Sequence, residues 1–521
     1  MRLLRPACLA LVLASANAAA QERPAPATPA PASPRTPAPA ADEAPPPFGI
    51  TIPGDAQLRY SALSNIPLAV TPGNADMAPN LGQNQFFEGW VRLRPSLRFG
   101  ERLRVHFSFD ITRTVLPDNE AQSVPFTRDP RTELLPFGVV DIRTGYFDWD
   151  SPVGNFRIGQ QAFSWGLGIL ANDGDTMPVF GDYRMGDLVE RISFATRPGG
   201  RSSNLVAAVA GDIVYRDRVA RLVDGDIALQ AVLSVFYQDH ACVARCDRRR
   251  VGALLSYRDV SFGNGDALGV FVADVLARWE WPTPDRTGRV WAGLELAGIW
   301  GSTNAARTQY YDSQSIEQYG AVAELGMERE GKFRVALEGG WASGDRNPVD
   351  TSQRRMTFNP SHRVGLVLFP EVIAWQTARS AAIATDPVLA ARPSRGAFLL
   401  PSSGGVTGAV YLYPTAQVFL GRYVDLRGGL VLAMASSDWV DPVSVQRDGT
   451  ARNYRGGDPT RRDLGLELDF GVNASVPVRG GVRLEGGLQG GVLFPGRAFA
   501  DATGALMPPV GMGVARFGIG F

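Results

Sequence analysis

Residues 88–112, EGWVRLRPSLRFGERLRVHFSFDIT, alternate apolar and polar side chains on either side of a three-residue break. Val91, Leu93, Leu97 and Phe99 fall on one face of the first half, with Arg92, Arg94, Ser96 and Arg98 on the other. In the second half Leu103, Val105, Phe107, Phe109 and Ile111 oppose Arg104, His106, Ser108 and Asp110. A two-residue period is the signature of a β-strand. Turning the chain at Gly100–Arg102 pairs Phe99 with Leu103, Leu97 with Val105, Leu93 with Phe109 and Arg92 with Asp110, and both faces stay consistent along the hairpin.

The same period recurs in VVDIRTGYF (139–147), DIALQAVLSVFY (226–237), FRVALEGGW (333–341), YVDLRGGLVL (423–432), LGLELDFGV (464–472) and GVRLEGGLQGGVLF (481–494). Several runs exceed the 5 or 6 residues usual in globular sheets and match the roughly 9–11 tilted residues that cross a hydrocarbon layer. Short breaks at 100–102, 151–155, 197–202, 282–289, 329–332, 421–422 and 477–481 alternate with long polar segments at 115–137, 164–187, 344–405 and 437–461. Outer-membrane barrels show that asymmetry. The expected fold is all-β: a transmembrane antiparallel β-barrel of about 18 strands, or 16 if two weak runs fail, with both termini periplasmic. A soluble sandwich would call for shorter strands and less charge on one face.

Residues 1–20 carry Arg2 and Arg5, the apolar run ACLALVLA and small residues at Ala16, Ala18 and Ala20, the pattern of a secretory signal peptide. Residues 21–53 begin with a Pro- and Ala-rich tract suited to extended, unpaired chain in the periplasm, and the barrel is expected over 54–521. Beyond the leader no run of 18 apolar residues offers a spanning helix. The formal net charge is zero, which excludes the electrostatic footprint of a nucleic-acid binder. Cys242 and Cys246 suit a small loop disulfide in an oxidising compartment. The last residues place Phe517, Ile519 and Phe521 on one face and end on an aromatic carboxyl terminus, resembling the signal by which the barrel-assembly machinery recognises its substrates.

A barrel of this size is too wide for wall side chains alone to fill, so its interior is either an aqueous channel or narrowed by inward loops. Alternation assigns to the lumen the basic residues Arg92, Arg94, Arg98, Arg104, Arg143, Arg157, Lys332, Arg334, Arg427 and Arg483, and the acidic residues Asp110, Glu338, Asp425, Glu467, Asp469 and Glu485. Guanidinium forks hold carboxylates and phosphates at two points, so such a wall favours anionic solutes; equally, the charges can pair across the lumen and stiffen it. The segment EVIAWQTARSAAIATDPVLAA (371–391) reads as a short helix that serves either as a gate in the mouth or as an external cap.

The expected function is an outer-membrane channel, porin-like or exporter-like, for small hydrophilic or anionic solutes or polysaccharide, embedded in outer-membrane lipid of a Gram-negative cell. The alternatives are a non-conducting scaffold or adhesin and, further off, an outer-membrane hydrolase. Catalysis is not expected: His106, His240 and His362 are the only histidines, and no nucleophile-elbow GxSxG accompanies them. No metal or other cofactor is expected. The Asp and Gly clusters NDGD (172–175), FGDY (180–183), GNGD (263–266) and SGDRN (343–347) lack EF-hand spacing and fit tight turns, with loop calcium as the alternative. Oligomeric state is left open.

Two stretches, YFDWDSPVGNFRIGQQAFSWGLGILANDGD (146–175) and GDRNPVDTSQRRMTFNPSHRVGLVLF (344–369), carry a resemblance. The first is similar to a myxobacterial-type outer-membrane β-barrel family. The second more loosely resembles alginate-export-type barrels, 18-stranded channels with a conduit rich in Arg and Lys. The resemblance implies that the inward arginines form a basic conduit and that polysaccharide is a cargo; with Lys332 the only lysine, this chain departs from that pattern.

Overall fold

The computed structural model describes residues 48–521 except 70–78, 82–83, 116–138, 183–185, 201, 240–246, 309, 387–395 and 397–398. The expected leader, most of the Pro- and Ala-rich segment, His240, Cys242 and Cys246 lie outside the described residues.

Eighteen wall strands form one closed antiparallel sheet. The first two are each interrupted: β1 is Phe48–Thr51 and Gly54–Leu63, and β2 is Gln85–Leu93 and Ser96–Phe99. Both breaks fall at prolines, Pro53 and Pro95, which have no N–H to give the ladder. The wall continues with β3 (Leu103–Val115), β4 (Val139–Asp150), β5 (Asn155–Ala162), β6 (Leu188–Thr196), β7 (Leu205–Arg216) and β8 (Ile227–Gln238). Then come β9 (Arg248–Ser261), β10 (Ala267–Pro282), β11 (Gly288–Thr303), β12 (Gln314–Arg329) and β13 (Phe333–Ala342). The last five are β14 (Ala409–Leu420), β15 (Val424–Ala435), β16 (Asp463–Pro477), β17 (Arg483–Pro495) and β18 (Val510–Gly520). The sheet thus starts at Phe48, ahead of the boundary expected at 54, because Phe48–Thr51 pairs with Ser96–Phe99. β1 closes the cylinder against β18, Asp55 facing Gly520 and Leu63 facing Met512.

The hairpin read from the sequence folds in the expected register: Phe99 faces Leu103, Leu97 Val105, Leu93 Phe109 and Arg92 Asp110. The next pairing is bulged at Ser108/Phe109. Both ends of the barrel chain emerge at the rim that carries the short turns, where Gly54 and Phe521 exchange backbone hydrogen bonds of 2.8 and 2.9 Å.

Alternation sorts the faces. Along β8, Ile227, Leu229, Leu233, Val235 and Tyr237 are exposed, while Ala228, Val232, Ser234 and Phe236 between them are buried. The outer face therefore presents Leu, Val and aromatic side chains around the whole cylinder, among them Phe147, Trp149, Ile158, Phe271, Leu337, Phe470 and Phe517. Water does not favour so large an apolar surface, and a bilayer does. Within hydrocarbon each backbone N–H and C=O must pair internally, and closure of the sheet leaves no unpaired edge. No helix among the described residues is long and apolar enough to cross a membrane.

The inner face is not uniformly wet, as the alternation alone suggests. Buried wall residues such as Phe236, Leu254, Leu276, Val431 and Leu493 join one apolar cluster with Trp165, Ile169, Phe180, Phe358, Leu366 and Phe369, all from connections between strands. Those connections run from β5 to β6 and from β13 to β14.

Candidate functional site

The candidate site is the lumen, and its shape is set by those two inward connections. In the first, residues 163–187, Asp175 reaches two wall arginines. Arg92 grips Asp110 at two points, Nε to Oδ1 at 2.7 Å and Nη2 to Oδ2 at 2.8 Å, and donates from Nη1 to Asp175 at 2.6 Å. Arg143 donates to the other Asp175 oxygen at 3.0 Å and to the Asp173 carbonyl. Burial works against ionisation of Asp175, but the Arg143 and Arg92 guanidiniums outweigh it and hold its carboxyl below the usual range. Farther along the loop, Arg427 donates to the Val179 carbonyl at 3.1 Å and Gly181 N–H donates to Gln489 at 2.8 Å. On the opposite wall Trp165 donates its indole N–H to Asp274 at 2.9 Å, and Leu167 N–H donates to Glu295.

The second connection runs from residue 343 to 408, and its part around 358–368 reaches the inner wall. Leu366, Val367 and Leu368 point three consecutive backbone N–H groups at Glu467, at 2.5, 2.7 and 2.6 Å. A wide turn, Leu368–Ile373, then leads into helix α1, Ala374–Thr385, which is buried almost all round. The helix expected here is packed among the long connections: Ser380 donates to Asp441, the N-cap of the short helix α2 (Pro442–Asp448) in the β15–β16 connection, and Arg379 donates to the Ala69 carbonyl in the β1–β2 connection. His362 pins the two inward loops to the wall together. Its Nδ1 lies 3.2 Å from the Leu167 carbonyl and its Nε2 lies 3.2 Å from both Glu338 and Tyr411, which themselves share a 2.7 Å hydrogen bond.

Wall glycines make this close approach possible. A Cβ at Gly320 would stand 2.7 Å from the Phe358 ring, one at Gly429 2.8 Å from the Phe180 ring, and one at Gly491 2.8 Å from Val367. Phe180, Phe358 and Phe369 are at most 1% exposed, so the loops are seated by a dry core as well as by polar bonds.

Of the residues assigned to the lumen from alternation, Arg92, Asp110, Arg143, Glu338, Glu467 and Asp469 lie inward, and all but Asp110 and Asp469 bond a loop directly. Most of the others are ion-paired within the wall. Arg94 meets Asp55 and Arg157 meets Asp148, while Arg427 lies 2.6 Å from Asp425. Looser pairs are Arg104 with Asp150 at 3.8 Å and Arg483 with Glu485 at 3.4 Å. Arg98 and Arg334 face inward with no ion pair among the described residues; Arg334 stacks over Trp291 at 4.9 Å. Lys332 departs from expectation: the strand begins one residue later, at Phe333, so Lys332 is exposed in the turn at the rim. Phe517 and Phe521 are exposed on the outer face, with Ile519 between them.

Several inward groups were not legible. Arg191 pairs with Asp212 at 2.7 Å, Arg278 bridges Glu280 and Glu324, and Arg289 meets Glu328 at 3.1 Å. The anchor Glu295 also escaped, although GRVWAGLELAGIW (288–300) alternates around it. The Asp and Gly clusters serve as turns and tethers, Asp266 pairing with Arg307 and Asp345 accepting from the Asn347 and Arg354 amides. Of the histidines within reach, His106 faces Ser96 as expected and stacks on Tyr146 with centroids 5.0 Å apart.

No protein-family model matches the chain, and no curated protein sequence matches it. Among solved structures the barrel is similar to OccK9 of Pseudomonas aeruginosa, with a TM-score of 0.46 and 10% identity over 90% of this chain and 98% of that one. It is similar also to OccAB1 of Acinetobacter baumannii, with a TM-score of 0.46 and 9% identity over 90% and 96% of the two chains. A third likeness is to Pseudomonas aeruginosa OccK2 in complex with glucuronate, with a TM-score of 0.43 and 9% identity over 90% and 98%.

Proposed function

We propose that the chain is an outer-membrane channel for small hydrophilic solutes, with a preference for anions. The observation that carries this reading is a closed barrel, apolar outside and charged within, whose lumen is narrowed by two loops bonded to its own wall. Inward Arg98 and Arg334 make no ion pair among the described residues, although Glu324 and Glu328 attract Arg334 from farther off, so these two guanidiniums are the ones left to meet a passing anion. Small solutes fit better than polysaccharide. A polyanion handed along the wall needs a succession of free guanidiniums, and here most of them are bound to carboxylates or to loop backbone. The alginate-export resemblance thus supports the barrel type more than the cargo. The same holds for the likeness of residues 146–175 to a myxobacterial-type barrel family.

Several further features belong to the same proposal. The short-turn rim, with both barrel ends, faces the periplasm. Residues 1–20 direct export, the segment to about residue 47 is a periplasmic tether, and Cys242 and Cys246 form a loop disulfide. The outward Phe517, Ile519 and Phe521 are read by the assembly machinery. A hydrolase is disfavoured because His362 spends both ring nitrogens on joining loops to wall.

Planar-bilayer recording under a KCl gradient tests the central point. The reversal potential should show anions more permeant than cations. Arg98→Ala combined with Arg334→Ala should move the ratio toward unity, whereas Arg94→Ala and Arg104→Ala, whose charges are already paired with Asp55 and Asp150, should move it less. Cation preference in the unaltered chain would overturn the reading.

A further inference from the structure

Between the inner wall of β6–β12 and the two inward loops lies a cavity of about 290 Å³. Ligand pockets begin at about this size. Its accessible surface is more apolar than polar, with Val214, Leu254, Val270 and Leu400 on the aliphatic part and Gln230, Ser256, Gln318 and Thr357 among the polar residues. The aliphatic part of this lining would strip the hydroxyls of a sugar of their hydration without compensation. It is suited to a hydrocarbon body.

Most of the charged groups in the lining are bonded, although Asp274 keeps one buried oxygen without a hydrogen-bond partner. Asp187 accepts from the Asn172 amide and the Asn359 side chain, Asp345 from two backbone amides, and Asp274 from Trp165; Arg355 donates to Tyr454 and to the Val440 carbonyl. Arg258 and Arg218 differ. Arg258 is held to Asp217 through Nη1 alone, and its Nε and Nη2 are buried with no acceptor. Arg218, on the connection just after β7, is half-buried with no hydrogen bond or ion pair among the described residues. Two guanidiniums therefore share Asp217, with Asp187 attracting both as well, and neither fork is filled with acceptors. Burial, with the neighbouring Arg258, lowers the Arg218 pKa from its ordinary value, and the attraction of Asp217 and Asp187 does not fully offset it.

We infer that this cavity binds an amphipathic monoanion, a medium-length aliphatic carboxylate whose head occupies the place between Arg218 and Arg258 and whose tail lies against Val214, Leu254 and Val270. The carboxylate supplies the acceptor that the guanidinium forks lack. This goes beyond the channel reading, because occupancy of the cavity does not require current: a chain that binds and does not conduct loses only the channel, and one that conducts without binding loses only this site.

Isothermal titration of the whole protein in neutral-detergent micelles, with protein-free micelles as the blank, provides the test. Octanoate should bind saturably at one per chain, octanol more weakly, and acetate not measurably. Arg218→Gln, a change in a connection and not in the wall, should weaken octanoate roughly tenfold to hundredfold, the usual worth of a charge-assisted hydrogen bond, and leave octanol unchanged. Val270→Trp should fill the cavity and abolish both. Absence of saturable octanoate binding to the unaltered chain would overturn the site. So would equal octanoate affinity in Arg218→Gln, which separates a specific head-group contact from general greasiness.

Discussion

Glu467→Ala should release the inner end of the long connection. The substitution leaves the amides of Leu366, Val367 and Leu368 buried with no acceptor, and each orphaned donor costs about 1–3 kcal/mol. Water cannot take over the role while the turn stays seated, since Val364 and Leu366–Phe369 are 0% exposed. The turn therefore moves away from the wall, and those amides should exchange with deuterium orders of magnitude faster than in the unaltered protein. The sheet itself should hold, because Glu467 makes its ladder bonds to β15 and β17 through backbone. Glu467→Gln should fall between, since it keeps one acceptor oxygen but turns an NH₂ group toward donors. Unchanged exchange at 366–368 in Glu467→Ala would show that the carboxylate does not hold the loop.

Arg92→Ala should be the most costly of the wall substitutions on the other side. It strips a buried carboxylate, Asp110, of its two-point partner and leaves Asp175 with Arg143 alone. Breaking one member of a buried ionic group typically costs about 3–5 kcal/mol, read as a lower urea midpoint in lipid vesicles. Arg92→Lys should recover little of it, because an ammonium cannot span both Asp110 oxygens and Asp175 at once. Acid has a related effect. Asp175 titrates below the ordinary carboxylate range in the folded protein, so its contribution is complete at neutral pH and is lost as pH falls from that range through the depressed value. An urea midpoint for Arg92→Ala within error of the unaltered chain would refute the tether.

The barrel was legible because its information is local. In residues 88–112 the two-residue period sets the faces and a three-residue turn sets the register, so each partner lies within about twenty positions along the chain. The first segment of β1 was missed for a local reason too: Phe48–Thr51 is short, abuts the proline tract, and gains its strand identity only from Ser96–Phe99. The inward loops could not be read in the same way. Alternation turns Glu467 toward the lumen but says nothing of the three amides a hundred positions away that it meets. Likewise EVIAWQTARSAAIAT is apolar on most faces, which suits a helix buried among loops whether they fill the mouth or cap it. A signal was present in Gly320, Gly429 and Gly491, inward glycines within long strands, where a missing side chain marks close approach of another backbone or ring. Arg218 was outside reach for the opposite reason: its significance is the lack of a partner.

The turn around residues 358–368, seated on Gly320, Glu338 and Glu467, narrows the lumen. Residues 361–400 can be replaced by a short Gly and Ser linker, because Thr357 and Thr407 are paired across the base of the loop and hold the cut ends together. Single-channel conductance of that chain, compared with the full-length protein in the same bilayer and salt, tests the claim most directly. The account predicts a several-fold larger current through the shortened chain; equal currents would mean that the segment does not narrow the path.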